Sequence, residues 1–385
     1  MRKYIILKKN PAAPKDGVRR MGIAQSRNSF FFERLTERAA ASMLREPEVE
    51  AVAPAMKTRL IKPLDSADTN LTDSWGLDAT KARTSAFTGV GVTVAVLDTG
   101  IDEKHPAFTG VRLIQKDFSG DGDGDVQGHG THCAGTIFGR DVNGVRIGVA
   151  PGIQTALIGK VLGENGGDTE MLVQGVQWAV DNQANIISMS LGFDFPGMVA
   201  EWLDGGWPTE LATSNGLEAY RLNLRVLDDL LALTRSRGAL RGTGALVIAA
   251  SGNESQRDQH EDWKIAASLP AAAEDVLSVA AVRRDGEYLK VADFSNSLAL
   301  VSAPGVDIVS AKSGGGLEAL SGTSMACPHV AGLAALWWEA LKTKGLSASP
   351  ATVRARLIAT ASREVFEHAG LEEDVGQGLV LAPTV

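Results

Sequence analysis

From residue 92 onward, short apolar runs alternate with helix-like stretches, and this alternation restricts what the chain can fold into. Val92–Leu97, Thr155–Val161, Ile186–Ser190, Ala245–Ala250 and Val276–Val282 are each long enough for a buried strand. Between them, Thr169–Asn182 and Leu217–Ser236 have the texture of amphipathic helices. Strands without polar alternation, separated by helices, predict a mainly parallel sheet covered on both faces, an α/β three-layer fold. In such sheets reactive groups gather beyond the carboxyl ends of the strands, where Asp98 and Asn253 lie.

Residues 1–65 have a different texture. Tyr4–Leu7, Val49–Val52 and Met56–Ile61 read as strands, and Phe30–Leu44 as one helix, together a small α+β unit too slight to stand alone. A polar stretch, 66–74, reads as a linker or processing region, leaving 75–385 as the large domain. Two cysteines, Cys133 and Cys327, give no disulfide framework. With 46 acidic and 38 basic residues the net charge is -8, which disfavours nucleic-acid binding. No run reaches the roughly 18–20 apolar residues needed for membrane insertion. Lys8-Lys9 ends the N-terminal apolar run early for a signal peptide, so a cytoplasmic location is expected, with signal-independent export as the alternative.

Taken alone, each polar motif has two readings. Asp98 before Thr99-Gly100 is either a turn cap or a buried carboxylate with a chemical task. His129 in Gly-His-Gly-Thr-His is either a proton carrier or, with His132, part of a metal pair, although no third ligand follows at helical spacing. Ser324 is a helix cap, a nucleophile, or both, since helix N-termini also favour developing negative charge. Asn253 by itself is a turn residue. Asp117, Asp121, Asp123 and Asp125 read as a calcium loop, a solvated turn or, for Asp125, a polar wall near substrate.

Together, Val96–Asp102, Gly128–His132, Ser188–Gly192, Ala249–Asn253 and Gly322–Ala326, with Gly148–Pro151 and Ala303–Gly305, resemble the subtilisin-like serine proteases in one consistent order from about Trp75. The resemblance implies a serine endopeptidase acting on extended or unfolded polypeptides through an acyl-enzyme. Ser324 would be the nucleophile, His129 the base, Asp98 its orienting partner and Asn253 an oxyanion donor. It implies a substrate bound as an added strand between Leu162, Gly163 and Glu164 on one edge and Ser190, Leu191 and Gly192 on the other. Ala250, Ser251 and Gly252 would complete the walls of the main pocket. His132 and His329 are expected to support the two helices.

It also implies that residues 1–65 are a propeptide, both chaperone and temporary inhibitor, cut off near Leu60–Asn70. No cofactor is required for the chemistry. Structural calcium stays a candidate, but Ala107 and Val142 replace ligands of one site known in relatives, and no metal residues are assigned. The stretch 193–244 is a long insertion: a lid, a partner surface, or neutral packing. The competing class is a catalytically silent protein-binding relative.

Overall fold

In the computed structural model the described residues are 1–9, 29–65, 70–241, 244–367 and 371–384. They form an eight-stranded central sheet in the spatial order Tyr288–Val291, Leu277–Asp285, Leu246–Ala250, Ile186–Met189, Thr93–Asp98, Thr155–Lys160, Arg112–Asp117, with Val301–Pro304 pairing Leu277–Asp285. All neighbours are parallel except Tyr288–Val291, which returns antiparallel. The strands are apolar on both faces because both faces are covered. Val94 and Val96 point into a core shared with the helices His129–Phe138 and Thr323–Thr343. Ala95 and Leu97, on the alternate face, join a second core with Thr169–Asp181 and Thr209–Arg241.

The N-terminal unit is a three-stranded antiparallel sheet with Arg2–Lys8 between Ser29–Leu35 and Val49–Pro54. Phe30–Leu44 is not one helix. Its first half, with three consecutive phenylalanines, runs as a strand, and the helix Glu37–Met43 begins only at the Thr36 cap, whose side chain accepts from Ala39 N at 3.2 Å. Ile6 and Tyr4 face that helix, while Ile5 and Leu7 join the second core of the large domain. The unit therefore buries one face of its sheet internally and the other against its neighbour.

The described residues of the 193–244 insertion are mainly helical. Phe195–Asp204 is helical, and the next helix starts at Thr209 rather than Leu217, running 33 residues to Arg241, about 50 Å. Gly205, Gly206 and Pro208 form the bend between the two helices, closed by Trp202 stacked on Trp207. The insertion packs against the N-terminal unit. Its helix Thr209–Arg241 lies against Val49–Pro54, and the buried Asn223 donates to Pro54 O at 2.9 Å while its Oδ1 accepts from Thr169 Oγ1 at 2.8 Å. Arg2 sits over the Trp202 ring, 4.7 Å from its centroid.

Met56, fully buried in the second core, is the last apolar anchor of the N-terminal unit before the cleft. Met56→Ala, made with Ser324→Ala to prevent self-digestion, should lower unfolding free energy by about 2–5 kcal/mol. Urea denaturation of the two proteins measures it, and an unchanged midpoint would contradict this docking.

Candidate active site

Asp98 ends the central strand Thr93–Asp98, and His129 opens the helix His129–Phe138, so sheet and helix bring them together. His129 Nδ1 lies 2.7 Å from Asp98 Oδ1, which also accepts from Thr99 N at 2.8 Å, and both side chains are buried. Ser324 is the second residue of Thr323–Thr343. Its Oγ donates to Ile61 O at 3.3 Å, with Ser190 O at 3.5 Å, and it makes no hydrogen bond to His129. His129 Nε2 has no hydrogen-bond partner among the described residues.

Asn253 follows the strand Leu246–Ala250. Its Oδ1 accepts from Thr323 N at 2.9 Å and Thr323 Oγ1 at 2.8 Å, which turns Nδ2 into the cleft, where it donates to Lys62 O at 3.1 Å. A side chain on Gly322 would begin 2.9 Å from that Nδ2, so the close approach of the serine-bearing turn needs glycine there.

The residues contacted belong to the chain's own N-terminal segment. Lys57–Leu60 pairs antiparallel with Leu191–Phe193 in the register Leu60–Leu191, Arg59–Gly192 and Thr58–Phe193. Its other edge pairs with Gly167–Asp168. The sequence placed this second edge at Leu162, Gly163 and Glu164; instead Leu162 is buried in the core, and Gly163 closes a turn with Gly166. That turn sends the chain back along the cleft, so the ladder forms four residues later, while Leu162–Glu164 line the cavity wall. Beyond Pro63, Leu64–Asp65 pairs with Leu317–Ser321. The Ile61 side chain is buried where a Cβ on Gly192 would lie 3.5 Å from it and 3.6 Å from Ser268 Oγ. Ser251 O accepts from Ser268 N at 3.1 Å, which joins Ala250–Gly252, expected as a pocket wall, to the residue beside Ile61.

In the acidic run before His129, Asp117, Asp121 and Asp125 accept hydrogen bonds from the protein itself. Asp117 turns both oxygens onto Ser119, Gly120 and Gly122. Burial alone would raise its carboxyl, but the Ser119 hydroxyl and these amides outweigh it and hold it below the ordinary range. Asp121 accepts from Glu164 N. Asp125 is buried and spends its oxygens on Thr99 Oγ1, Gly128 N, Thr131 N and Thr131 Oγ1 at 2.7–2.9 Å. Among the described residues these carboxylates do not converge on one point. Ala107 and Val142 are buried core.

Thr99, Asp125 and Thr323 were missed as positioning residues. Two of them adjoin Asp98 and Ser324 in the motifs, which was the available signal. Cys133 and Cys327 are free. Burial pushes the Cys133 thiol well up and the Cys327 thiol to about 11, so both stay protonated and are poor nucleophiles.

The subtilase-family profile matches residues 89–378. This chain belongs to the subtilase family. The subtilase is 34% identical over 255 residues to the major intracellular serine protease of Bacillus subtilis, covering 64% of this chain and 68% of that protein. It is 31% identical over 355 residues to a thermostable alkaline protease of Halalkalibacterium halodurans, covering 90% and 80%. With subtilisin-like protease 6 of Trichophyton verrucosum it shares 34% over 280 residues, 69% of this chain but only 60% of that relative's length.

His132 and His329 brace the two helices of this subtilase. His132 Nε2 meets Ile308 O at 2.9 Å, and His329 Nδ1 meets Met325 O at 2.8 Å. Burial, with His129 adding to it, lowers His132 from 6.5 to about 3, and burial lowers His329 to about 4. Unfolded imidazoles take up protons near pH 6.5, before the folded ones do. Stability is therefore full above about 6.5 and falls as pH drops toward about 4 and then 3. Thermal melts of Ser324→Ala across pH 7 to 4 should show Tm declining throughout that window. A flat Tm would refute buried neutral imidazoles.

Proposed function

We propose that this subtilase is a serine endopeptidase whose N-terminal unit, residues 1–65, is a removable propeptide. One observation carries the reading: a strand of the chain's own sequence occupies the cleft, with Ser324 on Ile61 O and Asn253 on Lys62 O. An extended polypeptide between Gly167–Asp168 and Leu191–Phe193 is the shape of a bound substrate.

In this mechanism Ser324 Oγ attacks the carbonyl carbon and His129 Nε2 takes its proton, then passes it to the leaving amine. Asp98 fixes the tautomer with the proton on Nδ1 and stabilises the imidazolium. Asn253 Nδ2 and the Ser324 backbone N–H stabilise the oxyanion. No metal enters the chemistry. In the resting chain the serine hydroxyl faces a carbonyl oxygen instead of the base, which fits an inhibited form. Polypeptides are the proposed substrates, and the propeptide is the proposed intramolecular partner. The match to the alkaline protease covers more of the chain than the stretch from Trp75 onward, so the likeness reaches into the N-terminal unit. The relative named as intracellular supports a cytoplasmic setting.

Intact mass after expression should show wild type losing an N-terminal fragment by a cut between Leu60 and Asn70, with Ser324→Ala full length. Equal processing of both would remove self-cleavage from the account. On unfolded casein, Ser324→Ala should be inert. Asn253→Ala should lose about 100- to 1,000-fold in kcat, and unchanged kcat would dismiss Asn253 as an oxyanion donor.

A further inference from the structure

The segment in the cleft, Lys57-Thr58-Arg59-Leu60-Ile61-Lys62, carries three cations and no acid in a chain whose net charge is -8. Because side chains alternate along a strand, Lys57 and Arg59 share one face, and the buried Thr58 takes the other. That face would ordinarily look into solvent. Here it meets carboxylates from both walls. Arg59 Nη1 lies 3.0 Å from Asp194 Oδ1, and Arg59 Nη2 lies 3.4 Å from Glu254 Oε1. Lys57, two residues earlier, pairs with Glu201 of the inserted helix.

Both carboxylates at Arg59 are held before any ligand arrives. Asp194 lies near the start of the insertion, and its Oδ1 caps the helix Phe195–Asp204 by accepting from Gly197 N at 3.1 Å. Glu254 Oε2 accepts from Asn296 Nδ2 at 2.7 Å, while Asn296 Oδ1 accepts from the Glu254 and Ser255 amides. Two anchored carboxylates on opposite sides suit a planar guanidinium, whose separate N–H groups reach both, better than a point-like ammonium.

We infer that Asp194 and Glu254 form a specificity subsite for a basic side chain, so that the enzyme prefers polypeptides carrying arginine at the place of Arg59, two residues before the one that takes the place of Ile61. This deepens the endopeptidase reading and rests on it. The expected order at that position is Arg, then Lys, then Ala, with Glu poorest.

The test uses the full-length chain after self-processing and internally quenched peptides Ala-Thr-X-Leu-Ile-Ala-Ala, with X as Arg, Lys, Ala or Glu. At low salt, kcat/KM for Arg should exceed that for Ala by roughly three- to tenfold, the scale of two partly exposed ion pairs. The ratio should shrink toward one in about 1 M NaCl, where the screening length is about 3 Å. Asp194→Lys should move the preference from Arg toward Glu. If that variant does not fold, the salt series on wild type reads the same electrostatic contact. An Arg-to-Ala ratio near one at low salt would overturn the subsite while leaving the protease intact. Failure of wild type to cut any peptide or casein would overturn both readings.

Discussion

A buried carboxylate that makes no contact with the nucleophile holds the site together. Asp125 receives four hydrogen bonds, two from Thr131, one from Gly128 and one from Thr99. It thereby ties the residue after Asp98 to the first turn of the helix that starts with His129. A buried anion is costly unless fully bonded, and bonds to a charged group are each worth about 1.5–3 kcal/mol. The helix N-terminus is where unpaired amides and the helix dipole favour such a charge. Its neighbour Gly130 allows the join to be tight, since a Cβ there would lie 2.2 Å from Gly100 O. The 2.7 Å Asp98–His129 contact is thus set by backbone placed from both sides.

The second constraint is topological. Lys57–Leu60 completes two sheet edges at once, one on Leu191–Phe193 and one on Gly167–Asp168. The small sheet upstream cannot dock elsewhere without breaking this register, because Asn223 holds Pro54 just before the strand begins. Residues Met56 and Thr169 exchange further bonds: Met56 N donates to Thr169 Oγ1 at 2.9 Å, and Thr169 N donates to Met56 O at 3.1 Å. The inserted helix, the N-terminal sheet and the cleft therefore share one set of contacts.

Local pattern revealed the large sheet and its parallel order, because apolar runs such as Ile186–Ser190 can only be doubly covered strands. The four polar residues were legible as motifs, yet their proximity was not, since it depends on strand order. The strand Ser29–Leu35 was misread because Phe and Leu satisfy helix and strand patterns alike, and only its partner Arg2–Lys8 decides. The edge at Gly167–Asp168 was hidden by a turn through Gly166, which has φ of 81°. In the same way Asp125 reads as a loop acid or a polar wall near substrate, because which oxygens are already engaged is a three-dimensional fact.

In the proposed processed form, without the N-terminal strand, Gly167–Asp168 and Leu191–Phe193 would be facing edges with unanswered backbone donors and acceptors. Natural sheets usually blunt such edges with charge, bulges or cover. In that form the two would have to stay open, so any unfolded chain, including a damaged copy of the same protein, would compete for the gap. The enzyme's working lifetime would then depend on how rarely its own fold opens.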